Sequence, residues 1–481
     1  MSARITIRHS IFDHCLFKLP NEQNLSWRSL SSTVERLAAK CQEHSLIIDL
    51  NSWTNVLQAD LSISPLLCKA MFTSFSEFSD SFVSTDSAAL PPLVLLLSLQ
   101  TFFKASNLSV SPRAISADAW PKKRDASQSP EASFMPRTLD RNQAFNLQFN
   151  FISANFHHFV SLVFRVLELL DVSPLASMII DTFHCLFFDR ESLTVLVNST
   201  LNQRKLVEEQ ILIDVIVKNL TPLEYSSYHY SIADLNKTSL IVRRSEVSPN
   251  DSVVISNCKK CFIVIMTSVA SVVVSNCEQL TVFVGASKNV NITSSLKCTA
   301  VMTCRAIKID WSSDVLSSVH CVLPPIVQPS TCHRLVFGPF NAFYPSLLAD
   351  MQALDIPPLL PTDPWKEPIS DPGVFAHEPT DSHIPFVVPF KDSDVDDFKR
   401  SESGKLLCTS CPVPLPVSYA SEIKARAELF NSIRNLTVGL SKEEREKVEK
   451  AVHGCFSEWL LQSGRARVIH DLVSQEVEID D

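Results

Sequence analysis

Two Cys-x-x-Cys pairs, Cys258-Lys-Lys-Cys261 and Cys408-Thr-Ser-Cys411, have the spacing in this chain best suited to chemistry. Thiolates so spaced can grip one zinc ion, and four such ligands close a structural site. The pairs lie far apart in the sequence, and neither has histidines at zinc-finger spacing, so a metal centre is disfavoured. His157-His158 and His184-Cys185 are the other candidates, for acid–base or thiol work. Both sit inside apolar helical segments, where a packed or surface histidine is the ordinary explanation. No GxSxG or HExxH motif prepares a nucleophile or a catalytic zinc. The 481 residues hold only seven glycines, and neither GxGxxG nor GxxxxGK[ST] occurs. Phosphate-cradling loops are therefore disfavoured, and no cofactor is expected.

Charge and hydropathy narrow the class further. A net charge of −9 with no dense basic face argues against binding nucleic acid through its phosphates. The first residues, Met1 to His9, lack the apolar stretch of a secretory signal. The most apolar run, Leu90 to Phe103, is too short to cross a bilayer and carries Pro91 and Pro92, so membrane insertion is not expected. An intracellular chain follows as the expectation, with its 14 cysteines as reduced thiols rather than a disulfide framework.

The elements that must position any site fall into four stretches. Residues 1–225 read as a helical domain, with apolar three- and four-residue steps in Ser32 to Cys41, in Leu66 to Phe78 and again between 142 and 220. A Ser-, Pro- and charge-rich linker interrupts it at about 112–136. From about Leu240 the pattern changes to short β-branched runs. Ser252-Val-Val-Ile-Ser-Asn-Cys258 returns nineteen residues later as Ser271-Val-Val-Val-Ser-Asn-Cys277, and Asn289 to Leu296 is a degenerate third copy. A second strand recurs as Ile263/Ile265, Val282/Val284 and Val301/Thr303. A fixed period with two short strands per unit predicts a solenoid over 226–368, its coils stacked about 4.8 Å apart with Cys258 beneath Cys277. A β-sandwich offers similar strands but does not explain the repeat. Residues 369–417 are proline-dense and read as an extended connector. The last stretch, 418–475, predicts a helical hairpin whose second helix opens with a capping box, Ser441 and Glu444, and stops at Gly464. Its stripe through Val448, Val452, Cys455, Phe456, Trp459 and Leu460 packs either on the protein itself or on a partner.

The repeat, closing with Phe337-Gly-Pro-Phe340, Tyr344-Pro345 and a later Trp365, resembles the C-CAP/cofactor C-like domain of tubulin-folding cofactor C, the retinitis pigmentosa 2 protein and cyclase-associated proteins. Segments such as Ile384-Pro-Phe-Val-Val-Pro-Phe390 and Phe456 to Gly464 are similar to the centrosomal, TBCC-domain-containing branch of that family. The resemblance implies an α+β multidomain protein: a right-handed parallel β-helix flanked by an N-terminal α-helical domain and a C-terminal helical hairpin. It implies centrosomal or tubulin-related partners, a location at the centrosome or spindle pole, and a role in positioning centrosome and Golgi. Some members accelerate GTP hydrolysis by tubulin or an Arl-type small GTPase with an arginine in a Gln-x-Arg motif. Here the matching stretch reads Cys304-Arg-Ala-Ile-Lys-Ile309, with Ala306 and Lys308 at those two positions. Lysine lacks the planar fork that makes an arginine finger worth about 10³ to 10⁵ in rate. Arg305 lies at an odd offset, which on an unbroken strand faces the other side. Lys308 is thus the sole catalytic candidate. Arg305, Lys308, Phe340, Tyr344 and Trp459 are the candidates for partner contact.

Overall fold

A computed structural model describes residues 4–8, 11–12, 16–17, 26–41, 46–78, 82–84, 87–103, 141–187, 190–200, 206–221, 229–328, 330–386, 388, 411–438 and 441–462. Among the described residues of the N-terminal domain, eight α-helices stand out: α1 (Trp27–Ala38), α2 (Leu50–Leu61), α3 (Pro65–Glu77), α4 (Leu90–Phe102), α5 (Arg141–Leu169), α6 (Ala176–Phe183), α7 (Arg190–Thr200) and α8 (Glu209–Asn219). Local chemistry sets their starts. Ser26 and Asp49 accept the N–H groups of Ser29 and Ser52, capping α1 and α2. The apolar run at Leu90 becomes α4, with Pro91 and Pro92 in the first turn, where a missing N–H costs little. Apolar on every side, α4 is buried from Leu90 to Gln100. Short strands escaped the sequence reading because two or three residues show no periodicity. Strand β1 (Ile5–Thr6) pairs in parallel with β5 (Leu220–Thr221), and β2 (Ile47–Asp49), β3 (Phe82–Ser84) and β4 (Ser87–Ala89) form a small antiparallel sheet. The linker expected at 112–136 lies outside the described residues.

The solenoid is a parallel β-helix of about six turns. Its strands are β6 (His229–Ala233), β7 (Ser239–Val242), β8 (Ser252–Ser256), β9 (Phe262–Ser275), β10 (Thr281–Thr293), β11 (Thr299–Asp310), β12 (Leu316–Cys321), β13 (Ile326–Val327), β14 (Leu335–Pro339) and β15 (Phe375–His377). The long strands β9, β10 and β11 bend at a corner and serve two sheets. Sheet A runs β7, β9, β10, β11, β12, β14, β15; sheet B runs β6, β8, β9, β10, β11, β13. In sheet B, Val253, Val272, Val290 and Ile307 stack in one interior row, and Ile255, Val274, Ile292, Ile309 and Val327 in the next. No single coil could bury these rows alone, so the stack is the folding unit.

The period is less regular than the first two copies imply. Phe262 pairs with Thr281, Thr281 with Thr299 and Thr299 with Leu316, so the step shortens from nineteen residues to eighteen and then seventeen. Residues are lost at the corner, where the register shifts after Ile265 and again after Val284. The third copy of the second strand is corrected accordingly: Ala300 and Met302 face the interior, while Val301 and Thr303 stand outside it.

The turns between coils also explain how a chain so poor in glycine builds a solenoid. Asp234, Asn257, Asn276, Ser294 and Trp311 occupy one left-handed position, and Lys237, Lys260, Gln279, Lys297, Asp314 and Arg334 a second. Such backbone costs roughly 1–2 kcal/mol for an L-residue, least for Asn and Asp. Hydrogen bonds along the stack offset it: Asn257 N–H donates to Ser275 O, and Lys260 N–H to Glu278 O. The repeated Ser-Asn-Cys is thus a turn motif, Asn supplying the left-handed bend and Cys pointing inward.

After β14 the chain crosses the outside of sheet A, where α9 (Leu347–Ala353) packs. The stretch expected to be a free connector from 369 begins as part of the solenoid: β15 adds to β14, and Phe386 stacks on Phe262 and Phe283. Two helices follow, α10 (Val417–Val438) and α11 (Lys442–Gln462). Tyr419 of α10 reaches the end of the solenoid core, edge-on to Trp365.

Candidate functional site

The four candidate side chains that the structure describes fall in three places: the corner of β11, the outer face of sheet B and the cover over sheet A. Strand β11 carries two of them. Cys304 and Ile307 both face the interior although their offset of three positions is odd, because the corner at Arg305 and Ala306 resets the alternation. Arg305 therefore emerges at the corner, half-buried, and donates from its guanidinium to the Asp355 carbonyl just past α9. Lys308 emerges from the outer face of sheet B, in a row with Val254, Val273, Asn291 and Ile326. All five of these side chains are buried.

Lys308 does not reach solvent. Only 4% exposed, it donates from Nζ to the Leu16 carbonyl and lies 4.6 Å from the centre of the Phe17 ring. That lid is part of the N-terminal domain. Gln100 of α4 accepts the Phe17 N–H at 2.7 Å and donates to the Phe17 carbonyl at 2.8 Å, gripping the segment as a strand partner would. Ile326 and Ile369, from the solenoid, join the N-terminal hydrophobic core. A buried cation held by a carbonyl and a ring face is well placed to fix a contact but cannot reach a substrate. Lys308, the candidate for catalysis and partner contact, is thus enclosed between the solenoid and the N-terminal domain.

Phe340 and Tyr344 are likewise structural. They are 1% and 2% exposed and line the cover over sheet A with Phe283, Leu347 and Met351. Tyr344 fits because residue 285 is glycine: a Cβ there would lie 2.0 Å from the Tyr344 hydroxyl. Its hydroxyl donates to Asp350 at 2.7 Å, and burial holds it well above the usual phenol range. Asp350 is fully buried and also receives Ser346 and the guanidinium of Arg244, which comes from the loop after β7. The signal for this arrangement was present in the sequence as a glycine inside a strand, which marks close approach by another group. Trp459 lies on α11, with its side chain outside the described residues.

The cysteine and histidine candidates resolve as packing. Cys258 and Cys277 stack as neighbours inside the solenoid, and the ladder continues through Ser295 and Ser312 to Cys332. Cys277 is pushed up by its hydrogen bond with Cys258 and by burial; burial pushes Cys298 up to about 11. Cys277 and Cys298 are poor nucleophiles on that account, while Cys258, lowered by its hydrogen bond with Cys277, is buried inside the solenoid. Cys408 lies outside the described residues. His158 stacks on Trp27 at 4.5 Å, and its pKa is lowered by burial. Among the described residues, no group of three or more Cys, His, Asp or Glu could hold a metal ion, and no helix is long and apolar enough to cross a membrane.

Residues 250–369, the heart of the solenoid, match the family model for tubulin binding cofactor C. Over those residues the solenoid is similar to the tubulin binding cofactor C domain. Curated relatives extend the likeness beyond it. TBCC domain-containing protein 1 of Danio rerio is 23% identical over 251 residues, covering 48% of this chain and 39% of that protein. The Xenopus tropicalis protein of the same name is 24% identical over 262 residues, covering 50% and 43%, and that of Gallus gallus 24% over 279 residues, covering 54% and 45%. The chain therefore matches less than half the length of these relatives. In the solenoid, the outer faces of both sheets are covered from within the same chain.

Proposed function

We propose that this protein is a non-enzymatic cytoskeletal adaptor that uses its cofactor C domain to bring tubulin-related partners to the centrosome or spindle pole, and so helps to position centrosome and Golgi. The observation that carries the non-enzymatic part is the state of Lys308: a lysine where some relatives of the domain use arginine, and one already engaged by Leu16 and Phe17. Without a planar fork and without access, it cannot stabilise phosphoryl charge. The relatives' shared TBCC domain supports the tubulin-related partner class. A single-turnover GTP hydrolysis assay with tubulin and with an Arl-type GTPase tests the reading. No acceleration is expected, whereas acceleration abolished by Lys308→Ala would establish the alternative, a GTPase activator. Tagged protein should concentrate at spindle poles; a diffuse signal throughout the cell cycle would favour a free folding cofactor.

A further inference from the structure

We propose that the third face of the solenoid, the ladder of turns between sheet B and sheet A, docks an acidic, extended segment of another protein. The inference goes beyond the adaptor reading and holds for any partner that carries such a segment.

The location follows from what is already covered. Val264, Phe283 and Val301 on the outside of sheet A are buried under the segment that follows β14. The outer residues of sheet B are buried beside the N-terminal domain. The turns are different. Each runs from the end of a sheet B strand to the start of the next sheet A strand. Successive turns pair through single bridges, Lys259 to Glu278, Glu278 to Leu296, Leu296 to Ser313 and Ser313 to His333. Cys258 and Cys277 point inward from these turns, whereas none of the bridging residues is buried. A partner reaches this face without displacing either cover.

The charge of the face selects the partner. Although the whole chain carries a net charge of −9, the acids on these turns are already engaged. Asp234 accepts the Asn257 carboxamide N–H at 3.0 Å, Glu278 pairs with Lys259 at 3.0 Å, and Asp314 pairs with Arg334. Lys237 and Lys260 stand at equivalent positions of adjacent turns, with no ion-pair partner among the described residues. Rungs of the stack lie about 4.8 Å apart, and like charges on neighbouring rungs repel. A carboxylate placed between them relieves that repulsion, so it gains more here than at an isolated surface lysine. Lys297, further along the same row, shares Asp314 with Arg334.

The apolar groups make the ligand a peptide. Leu296, beside Lys297, and Trp311 on the next turn are each 39% exposed on this face. A segment laid along the stack advances about 3.3 Å per residue, so about four residues reach from Lys237 to Lys297. Carboxylates at one end then meet Lys237 and Lys260, while an apolar residue at the other meets Leu296 and Trp311. A nucleic acid strand fits less well. Its charge recurs at every step, and Glu278 and Asp314 lie along its path.

Fluorescence anisotropy of the full chain with a fluorescein-labelled peptide, consecutive glutamates followed by leucines, tests the face. Expected is saturable binding that weakens as salt is raised and is lost when glutamines replace the glutamates. Lys237→Glu combined with Lys260→Glu should weaken binding about tenfold, mostly through slower association. Leu296→Ser should weaken it severalfold and leave the salt dependence unchanged. Thermal unfolding of the lysine variant should match the parent, because both side chains lie outside the core. The proposal is overturned if the parent shows no saturable binding, or if the lysine variant binds equally well. It is overturned as well if an oligodeoxythymidine displaces the labelled peptide as effectively as unlabelled peptide does, which would mark a general polyanion surface. Binding that appears only after Asp392, Asp394, Asp396 and Asp397 are changed to Asn would also sink it, since the occupant would then be this chain's own acidic run.

Discussion

The two outer faces of the solenoid are covered in opposite ways. Sheet A is closed by the segment that follows it in sequence, through large apolar groups: Phe283 against Phe340, Tyr344 and Phe386, with Leu347 and Met351 alongside. Sheet B is closed by a domain whose contacting residues lie nearly three hundred positions upstream in the chain, through a lysine, a carbonyl and two isoleucines. Burial of apolar surface is non-directional and additive, so the first cover behaves as core. The second also seals apolar groups, Val254, Val273 and Ile326, but sets Asn291 and Lys308 among them. One sequence repeat thus produces two sheets with the same interior and differently built covers outside them.

The comparison is easiest to break at Phe283. Phe283→Ala removes a fully buried ring from the sheet A cover and should cost about 3–5 kcal/mol. Chemical denaturation should show the midpoint falling by the corresponding amount. A loss below about 1 kcal/mol would mean that sheet A is no better sealed than sheet B.

Tyr344→Phe is the next largest. The ring and its stacking survive, but Asp350 loses one of its donors inside the protein. Leaving a buried acceptor short of a partner costs about 1–3 kcal/mol. Thermal unfolding of this variant beside Asp350→Asn and the double mutant would separate the hydroxyl–carboxylate contact from ring packing. Additive losses would show that the contact contributes nothing of its own.

How much of this could be read in advance follows the same division. The interior rows were legible because Ser252–Cys258 and Ser271–Cys277 are near copies, and a period of nineteen is visible without any structure. The shortening to eighteen and seventeen was not, since a corner that drops one residue leaves no compositional trace. It displaced Val301 and Thr303 from the interior in favour of Ala300 and Met302. The capping box at Ser441 was legible because its two partners lie three residues apart. The burial of Lys308 was invisible for the converse reason: Leu16 and Phe17 lie far away in sequence, and neither carries a pattern that names its partner. Tyr344 and Phe340 were picked out by type as a possible surface, yet their type suits a cover equally well. Only Gly285, a glycine in a strand of a glycine-poor chain, hinted at which.

The smallest effect belongs to α11, which shares in neither cover among its described side chains, most of which are exposed. Its start therefore rests on local hydrogen bonds rather than on packing. Ser441 N–H donates to the Glu444 carboxylate at 2.9 Å, and Glu444 N–H donates to Ser441 Oγ at 3.4 Å. The Ser441 N–H and, second, its hydroxyl donate to the Glu444 carboxylate and hold it below the usual range. A carboxyl whose folded pKa is depressed stabilises the helix fully above its ordinary pKa, and that contribution is lost as pH falls through the depressed value. Hydrogen exchange at the Glu444 amide should accordingly quicken as the pH is lowered across that window, after correction for the intrinsic rate. Ser441→Ala should quicken it at every pH and flatten the dependence, while leaving exchange at Phe17 and in β10 untouched. If the Ser441→Ala effect reached β10, α11 would be part of the sealed core after all, and the solenoid would have a third cover.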